Sequence, residues 1–134
     1  MLYKISKGEV PTYRHRQQDL IYLVTDVAHV IASGRPWVYS DGNCANRFTE
    51  YHEEVSSLPT AVDWTVMNDR MWNDTAEEPD RMRRRMAEFL VHDHLPLMAL
   101  IGVATRNEPT SQAAQNILGT NFQRPVVVMS DWYY

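Results

Sequence analysis

Five short apolar runs, unevenly spaced, constrain the fold of this chain more than any other feature. They are Leu20–Val24, Trp37–Tyr39, Glu88–Val91, Ile101–Ala104 and Pro125–Met129. Each has the length of a strand, and most are rich in β-branched or aromatic side chains, so each is expected to lie in a sheet. Leu2–Ile5 is expected to be a further short strand, closed by a loop carrying Gly8 and Pro11. The runs are separated by helical patterns of unequal length, without a steady βαβ rhythm. That predicts an α+β fold with a mixed or mostly antiparallel sheet. Neither a GxGxxG nor a P-loop pattern occurs, so the sequence gives no support to a Rossmann or Walker site.

The helices announce themselves by caps and spacing. Thr25 and Asp26 are cap residues for a short helix through Ile31 and Ala32, which Gly34 ends. Phe48, Tyr51, Val55 and Leu58 fall at helical spacing and predict a helix over 45–58. Asp63 is placed to cap a helix carrying Val66, Met67 and Met71. Glu77-Glu78-Pro79-Asp80 breaks the pattern. The stretch from Pro109 to Leu118 predicts one more helix, with Gly119 as its stop. No repeat or linker divides the 134 residues, which suit one domain over 1–134.

Composition narrows the function classes. The net charge is −4, less basic than a general nucleic-acid coat requires. Basic residues nonetheless crowd between 70 and 85, at Arg70, Arg81, Arg83, Arg84 and Arg85, a run that by itself reads as a solvated helix end. Cys44 is the single cysteine, which excludes an internal disulfide or a cysteine zinc cage and suits a reducing, cytoplasmic setting. No apolar run approaches the ~20 residues of a membrane helix, and no signal peptide is expected from Met1-Leu2-Tyr3-Lys4. His92-Asp93-His94 places two imidazoles two residues apart, but no third ligand has supporting spacing, so no metal site is expected. Cys44 reads as a small apolar residue rather than a nucleophile. Glu88 is the unusual residue, an acid opening an apolar strand. Alternation puts it on one strand face with Leu90, and puts Phe89 and Val91 on the other.

Several stretches, in order, resemble one family. They are Met1-Leu2-Tyr3, Gln17 ahead of Ile21-Tyr22-Leu23-Val24, Trp37-Val38-Tyr39-Ser40-Asp41-Gly42, Val62-Asp63-Trp64 with Trp72, Ala87-Glu88-Phe89-Leu90-Val91, and the terminal Asp131-Trp132-Tyr133-Tyr134. The series resembles the DarT family of DNA ADP-ribosyltransferase toxins, with AEFLV and DWYY in this order as its most specific pair. The resemblance covers the chain as the C-terminal two-thirds of the family domain. The family's N-terminal segment, with its first strand and an NAD-holding histidine, is expected to be missing, through a late start, a fragment or a degenerate relative.

The resemblance implies an ADP-ribosyltransferase fold, a split, curved sheet with helices around an NAD cleft. It implies transfer of ADP-ribose from NAD to a base of single-stranded DNA, as the toxin of a toxin–antitoxin pair with a DarG-type macrodomain antitoxin. The other reading it leaves open is an inactive remnant that binds DNA or an antitoxin. By its place in AEFLV, Glu88 matches the catalytic glutamate. Met1 matches a methionine near the NAD site, and Gln17 a loop position beside the cleft. Asn43 stands where the family commonly has a histidine, and Met86 where a glutamine is common. Arg83, Arg84 and Arg85 fall in the target-facing loop and are expected to contact DNA phosphates. If the N-terminal segment normally closes the sheet, an apolar face is expected around Met1–Ile5 and Tyr22.

Overall fold

The computed structural model describes residues 2–133. In chain order the elements are α1 (Leu2–Ser6), β1 (Ile21–Val24), α2 (Val27–Ala32), β2 (Trp37–Ser40), β3 (Tyr51–His52), α3 (Leu58–Ala61), α4 (Trp64–Asn68), α5 (Arg81–Arg84), β4 (Phe89–Val91), β5 (Gly102–Thr105), α6 (Glu108–Leu118) and β6 (Val126–Val128). Four short 3-10 turns punctuate them. The chain is α+β, as expected. It forms two compact units, one from the segments up to Ser33 and from Pro96 onward, the other from Gly34–Leu95.

The first unit holds a three-stranded sheet in the order β1-β5-β6. β1 runs antiparallel to β5, with Tyr22 opposite Ala104, and β5 runs parallel to β6, with Ala104 opposite Val127. A parallel pair needs a crossover, and α6 supplies it. Asn107 caps α6 by accepting from the Thr110 N–H at 3.0 Å, and Gly119 ends it at φ 66°, where a side chain would be strained. β5 is the centre of this unit, since Val103, Ala104 and Thr105 are all fully buried. Tyr133 packs edge-on to Tyr22 and donates its hydroxyl to Leu20 O at 3.0 Å, which fastens the C-terminal turn to the sheet.

The second unit holds an antiparallel sheet in the order β3-β2-β4. Phe89 stacks on Trp37 at 5.2 Å, and Tyr39 stacks on His52 at 5.1 Å, so cross-strand rings hold this small sheet together. Tyr39 is 1% exposed, and its hydroxyl meets the Ser57 hydroxyl at 2.5 Å and Glu54 O at 3.2 Å.

Two expectations are corrected. Leu2–Ile5 is not a strand but most of α1. Its backbone bonds continue locally, Gly8 N–H to Ile5 O and Glu9 N–H to Lys4 O. The helix expected over 45–58 does not form either. Asn43 Oδ1 accepts from the Ala45 N–H and Asn46 Oδ1 from the Phe48 N–H, two local turns that compete with helical bonding. Tyr51 and His52 then pair with Ser40 and Tyr39 as β3. Of the apolar stripe, Phe48 and Tyr51 are left outside, at 66% and 52% exposed.

Of the apolar face expected around Met1–Ile5 and Tyr22, Met1 and the side chains of Leu2 and Tyr3 lie outside the described residues. Tyr22 is packed against Trp132 and Tyr133, while Ile21 and Leu23 on the opposite side of β1 are exposed. His92 and His94 fall beyond β4, where His94 bonds Asp93 and Arg35 rather than converging with His92.

Candidate active site around Glu88

Glu88 stands one residue before β4, and it is exposed. Its backbone is pinned on both sides by Ser40. The Ser40 N–H donates to Glu88 O at 2.9 Å, and the Glu88 N–H donates to Ser40 Oγ at 3.0 Å. Ser40 is fully buried and spends its own hydroxyl proton on Gly42 O at 2.7 Å. One hydroxyl thus ties the end of β2, the turn after it and the start of β4 together. The Glu88 carboxylate accepts from the Cys44 N–H at 3.3 Å.

Tyr51 supports that contact from β3, donating its hydroxyl to Cys44 O at 2.9 Å. Desolvation, the hydrogen bond and charge of Cys44, and then the charge of Glu88 hold the Tyr51 phenol above its ordinary value, so it remains a donor near neutral pH.

Asn43 sits beside this group. Its N–H donates to Arg83 O at 3.0 Å, its side-chain amide N–H to Met86 Sδ at 3.3 Å, and its amide oxygen accepts from Ala45. An amide so placed orients neighbours but cannot move a proton near neutral pH. Asn43, Asn46, Asp80, Arg83 and Met86 line a pocket of about 190 Å³ within this unit. The turn that holds Asn43 requires Gly42. A Cβ there would lie 2.5 Å from Arg83 NH1 and 2.9 Å from Arg83 O. Gly42→Ala is therefore expected to push Arg83 off the Asn43 N–H and to cost about 1–3 kcal/mol, measurable by urea unfolding.

Arg83, Arg84 and Arg85, the arginines expected to contact DNA phosphates, each have partners within this unit. Arg83 bonds Asp41 at 2.8 Å and Asp80 at 2.8 Å. Arg84 pairs with Asp63 and with Glu78. Arg85 donates to Val66 O and Asp69 O, lies 4.4 Å over the Trp72 ring, and leaves its Nε buried without a partner. Arg81, 4% exposed, pairs with Asp69 and Glu78 and donates to Met71 O. Asp80 and Asp41 push the Arg83 guanidinium further above its ordinary value. The physical reason for these pairings is charge balance. Carboxylates at 41, 63 and 69, distant in sequence, fold back onto α5 and neutralise it. The basic run is an internal clamp on the loop before Glu88.

Of the other expected site residues, Gln17 belongs to the first unit. It is 4% exposed and accepts from Arg106 NH1 at 2.8 Å. Met1 lies outside the described residues. Asn43, Met86 and Arg83 are brought together with Glu88's loop in the second unit. Sequence reasoning did not find Ser40, the Cys44 N–H or Tyr51. The close-packed Asp41-Gly42 turn after a strand was the one available signal, since a glycine there marks a near approach of backbone.

Among the described residues the chain is thus α+β with two three-stranded sheets, and one carboxylate, Glu88, stands just ahead of β4. The family model for the ssDNA thymidine ADP-ribosyltransferase DarT matches residues 1–134. The chain belongs to the DarT family. It is 31% identical over 135 residues to a DNA ADP-ribosyl transferase of Mycobacterium tuberculosis, covering all of this chain and 58% of that protein. It is 27% identical to one of Escherichia coli O127:H6, covering 62% of it. The chain therefore spans about three-fifths of the length of these curated relatives. Thermus sp. 2.9 DarT in complex with NAD+ shares the fold at a TM-score of 0.88 and 24% identity, over 99% of this chain and 66% of that one. Thermosipho africanus DarTG in complex with ADP-ribose gives 0.71 at 14% identity, over 33% of its own length.

Proposed function

We propose that this chain transfers ADP-ribose from NAD, as substrate, to a base of single-stranded DNA, with Glu88 as the catalytic carboxylate. The observation that carries this reading is the fixing of Glu88, backbone-clamped by Ser40 and side-chain-bonded to the Cys44 N–H, within a match to the DarT family along the whole chain. The relatives named DNA ADP-ribosyl transferase support the activity, and the Thermus DarT complex with ADP-ribosylated ssDNA supports the acceptor.

The chemistry asks for such a group. When the bond between ribose and nicotinamide breaks, the electron pair leaves with nicotinamide and positive charge develops at the ribose carbon. A held carboxylate stabilises that charge without reorganising. The base then forms its bond to the same carbon and gives up a proton to Glu88. Asn43 and Gln17 are proposed as NAD contacts, as is Met1. Arg83 and Arg84 act here by holding the acceptor loop rather than by gripping phosphates.

Toxin action opposed by a DarG-type macrodomain antitoxin, in the cytoplasm where NAD and replicating DNA meet, completes the reading; the Thermosipho DarTG protein supports the partner. No helix among the described residues is long and apolar enough to cross a membrane.

The test is incubation of the chain with NAD and mixed-sequence single-stranded oligonucleotides, followed by mass spectrometry of the DNA. Expected is a gain of one ADP-ribosyl group with release of free nicotinamide. Oligonucleotide binding without any such gain would replace the enzyme with the DNA-binding remnant.

A further inference from the structure

We propose that Phe48 and Arg47 form a stacking platform for a nucleobase of the DNA strand, next to the base presented to Glu88. This deepens the proposed function and rests on it.

Phe48 is 66% exposed, an uncommon position for a phenylalanine on a turn with no other role. The Arg47 guanidinium lies over its ring at 4.5 Å from the centroid. Together they offer an aromatic face and a cation side by side, the pair of features by which proteins hold single strands. Arg47 differs from the arginines of α5. Those are bound to Asp41, Asp63, Asp69, Glu78 and Asp80, whereas Arg47 has no carboxylate partner among the described residues. On the turn that reaches Glu88 through the Cys44 N–H, Arg47 is a cation without a carboxylate partner among the described residues.

The platform is also rigid. The Phe48 N–H bonds Asn46 Oδ1 at 3.0 Å, the Thr49 N–H bonds Asn46 O at 3.1 Å, and the buried Thr49 hydroxyl bonds Asn43 O at 2.6 Å. A turn held this way loses little backbone freedom when a base stacks on Phe48. The same turn supplies the Cys44 N–H to Glu88. Phe48 follows Cys44 by four positions, so their backbones lie within roughly 14 Å even if fully extended. A base on Phe48 is therefore close to the reacting one. Phenylalanine has no hydrogen-bonding group, so this stack contributes affinity and placement but no base preference.

The experiment is titration of a labelled single-stranded oligo-dT by fluorescence anisotropy, in parallel with NAD titration. Phe48→Ala is expected to weaken oligonucleotide affinity about 5- to 100-fold, with NAD affinity unchanged. Phe48→Trp should keep the affinity, and Phe48→Leu should lose it, because leucine has no π-face. Arg47→Ala should weaken binding and flatten its salt dependence by about one phosphate contact. Oligonucleotide affinity unchanged in Phe48→Ala, full binding by Phe48→Leu, or loss of NAD affinity alone would each overturn the proposal. The last would make Phe48 an adenine contact. A wild-type chain that does not bind the oligonucleotide overturns both this platform and the function it serves. Transfer that survives loss of the Glu88 charge overturns the Glu88 reading and leaves the Phe48 comparison standing.

Discussion

Replacing Glu88 by glutamine is expected to reduce ADP-ribose transfer to a single-stranded oligonucleotide by about 10²–10³-fold. Glutamine keeps the length of the side chain and an oxygen that can still accept from the Cys44 N–H, which lies 3.3 Å from the present carboxylate. What it removes is the negative charge opposite the ribose carbon. Binding of NAD, for which Asn43, Gln17 and Met1 are the proposed contacts, should fall much less. The loss should therefore appear in kcat rather than in KM. Glu88→Asp should fail as well, for a different reason. Ser40 fixes the backbone on both sides of residue 88. The main chain cannot advance to compensate for a missing methylene, so the shorter carboxylate is withdrawn from both Cys44 and substrate. A displacement of about 1 Å in such a group costs on the order of 10²-fold. Transfer by Glu88→Gln at the wild-type rate would make Glu88 a solvent-facing strand residue and end its catalytic assignment.

The strands were legible in sequence because their information is local. Runs such as Leu20–Val24 and Pro125–Met129 carry β-branched side chains between turn residues, and the observed β1 and β6 lie inside them. The caps were legible for the same reason. Asp26 and Asp63 accept from the N–H three residues on, as their positions predict. The segment from Asn43 to Leu58 was not legible. Its apolar residues have helical spacing, but the competing bonds come from the Asn43 and Asn46 side chains and from the distant edge of β2. Spacing cannot weigh those against each other. The internal partners of the arginine run were not legible for the same reason, because Asp41 and Asp63 lie some twenty to forty positions away. Glu88 stood out as an acid opening an apolar strand, but only the AEFLV resemblance attached chemistry to it. The Ser40 hydroxyl and the Cys44 N–H that position it leave no pattern at all, since a backbone N–H belongs to every residue but proline.

The clamp of charges on α5 should be the acid-sensitive part of the molecule, and Arg81 its centre. Arg81 is buried, and its guanidinium joins Asp69 and Glu78 while donating to Met71 O at 3.1 Å. Arg81→Ala deletes these hydrogen bonds and the packing of the stem at once, and is expected to cost about 2–3 kcal/mol. The orphaned carboxylates are largely open to water, which keeps the loss below that of a fully buried pair. Arg81→Lys keeps the charge but not the fork, and should fall between the two. The pH dependence follows from the same contacts. The Met71 N–H and then Arg81 hold the Asp69 carboxyl below its ordinary value. Arg84 and then Arg81 do so for Glu78. The Val66 N–H, followed by Arg84, depresses Asp63. For Asp41, burial acts in the opposite direction but is outweighed by Arg83 and the Glu50 N–H. A carboxyl depressed on folding contributes stability above its unfolded value, near pH 4, and that contribution disappears as pH falls through the folded value. Urea midpoints should therefore be flat from neutrality to about pH 5 and drop steeply below pH 4. In Arg81→Ala the midpoint should start lower and fall less steeply, because two carboxyls move back toward their ordinary range. Parallel acid profiles for the two proteins would show that Arg81 packs without clamping, and the charge network would then have no part in holding the loop that carries Glu88.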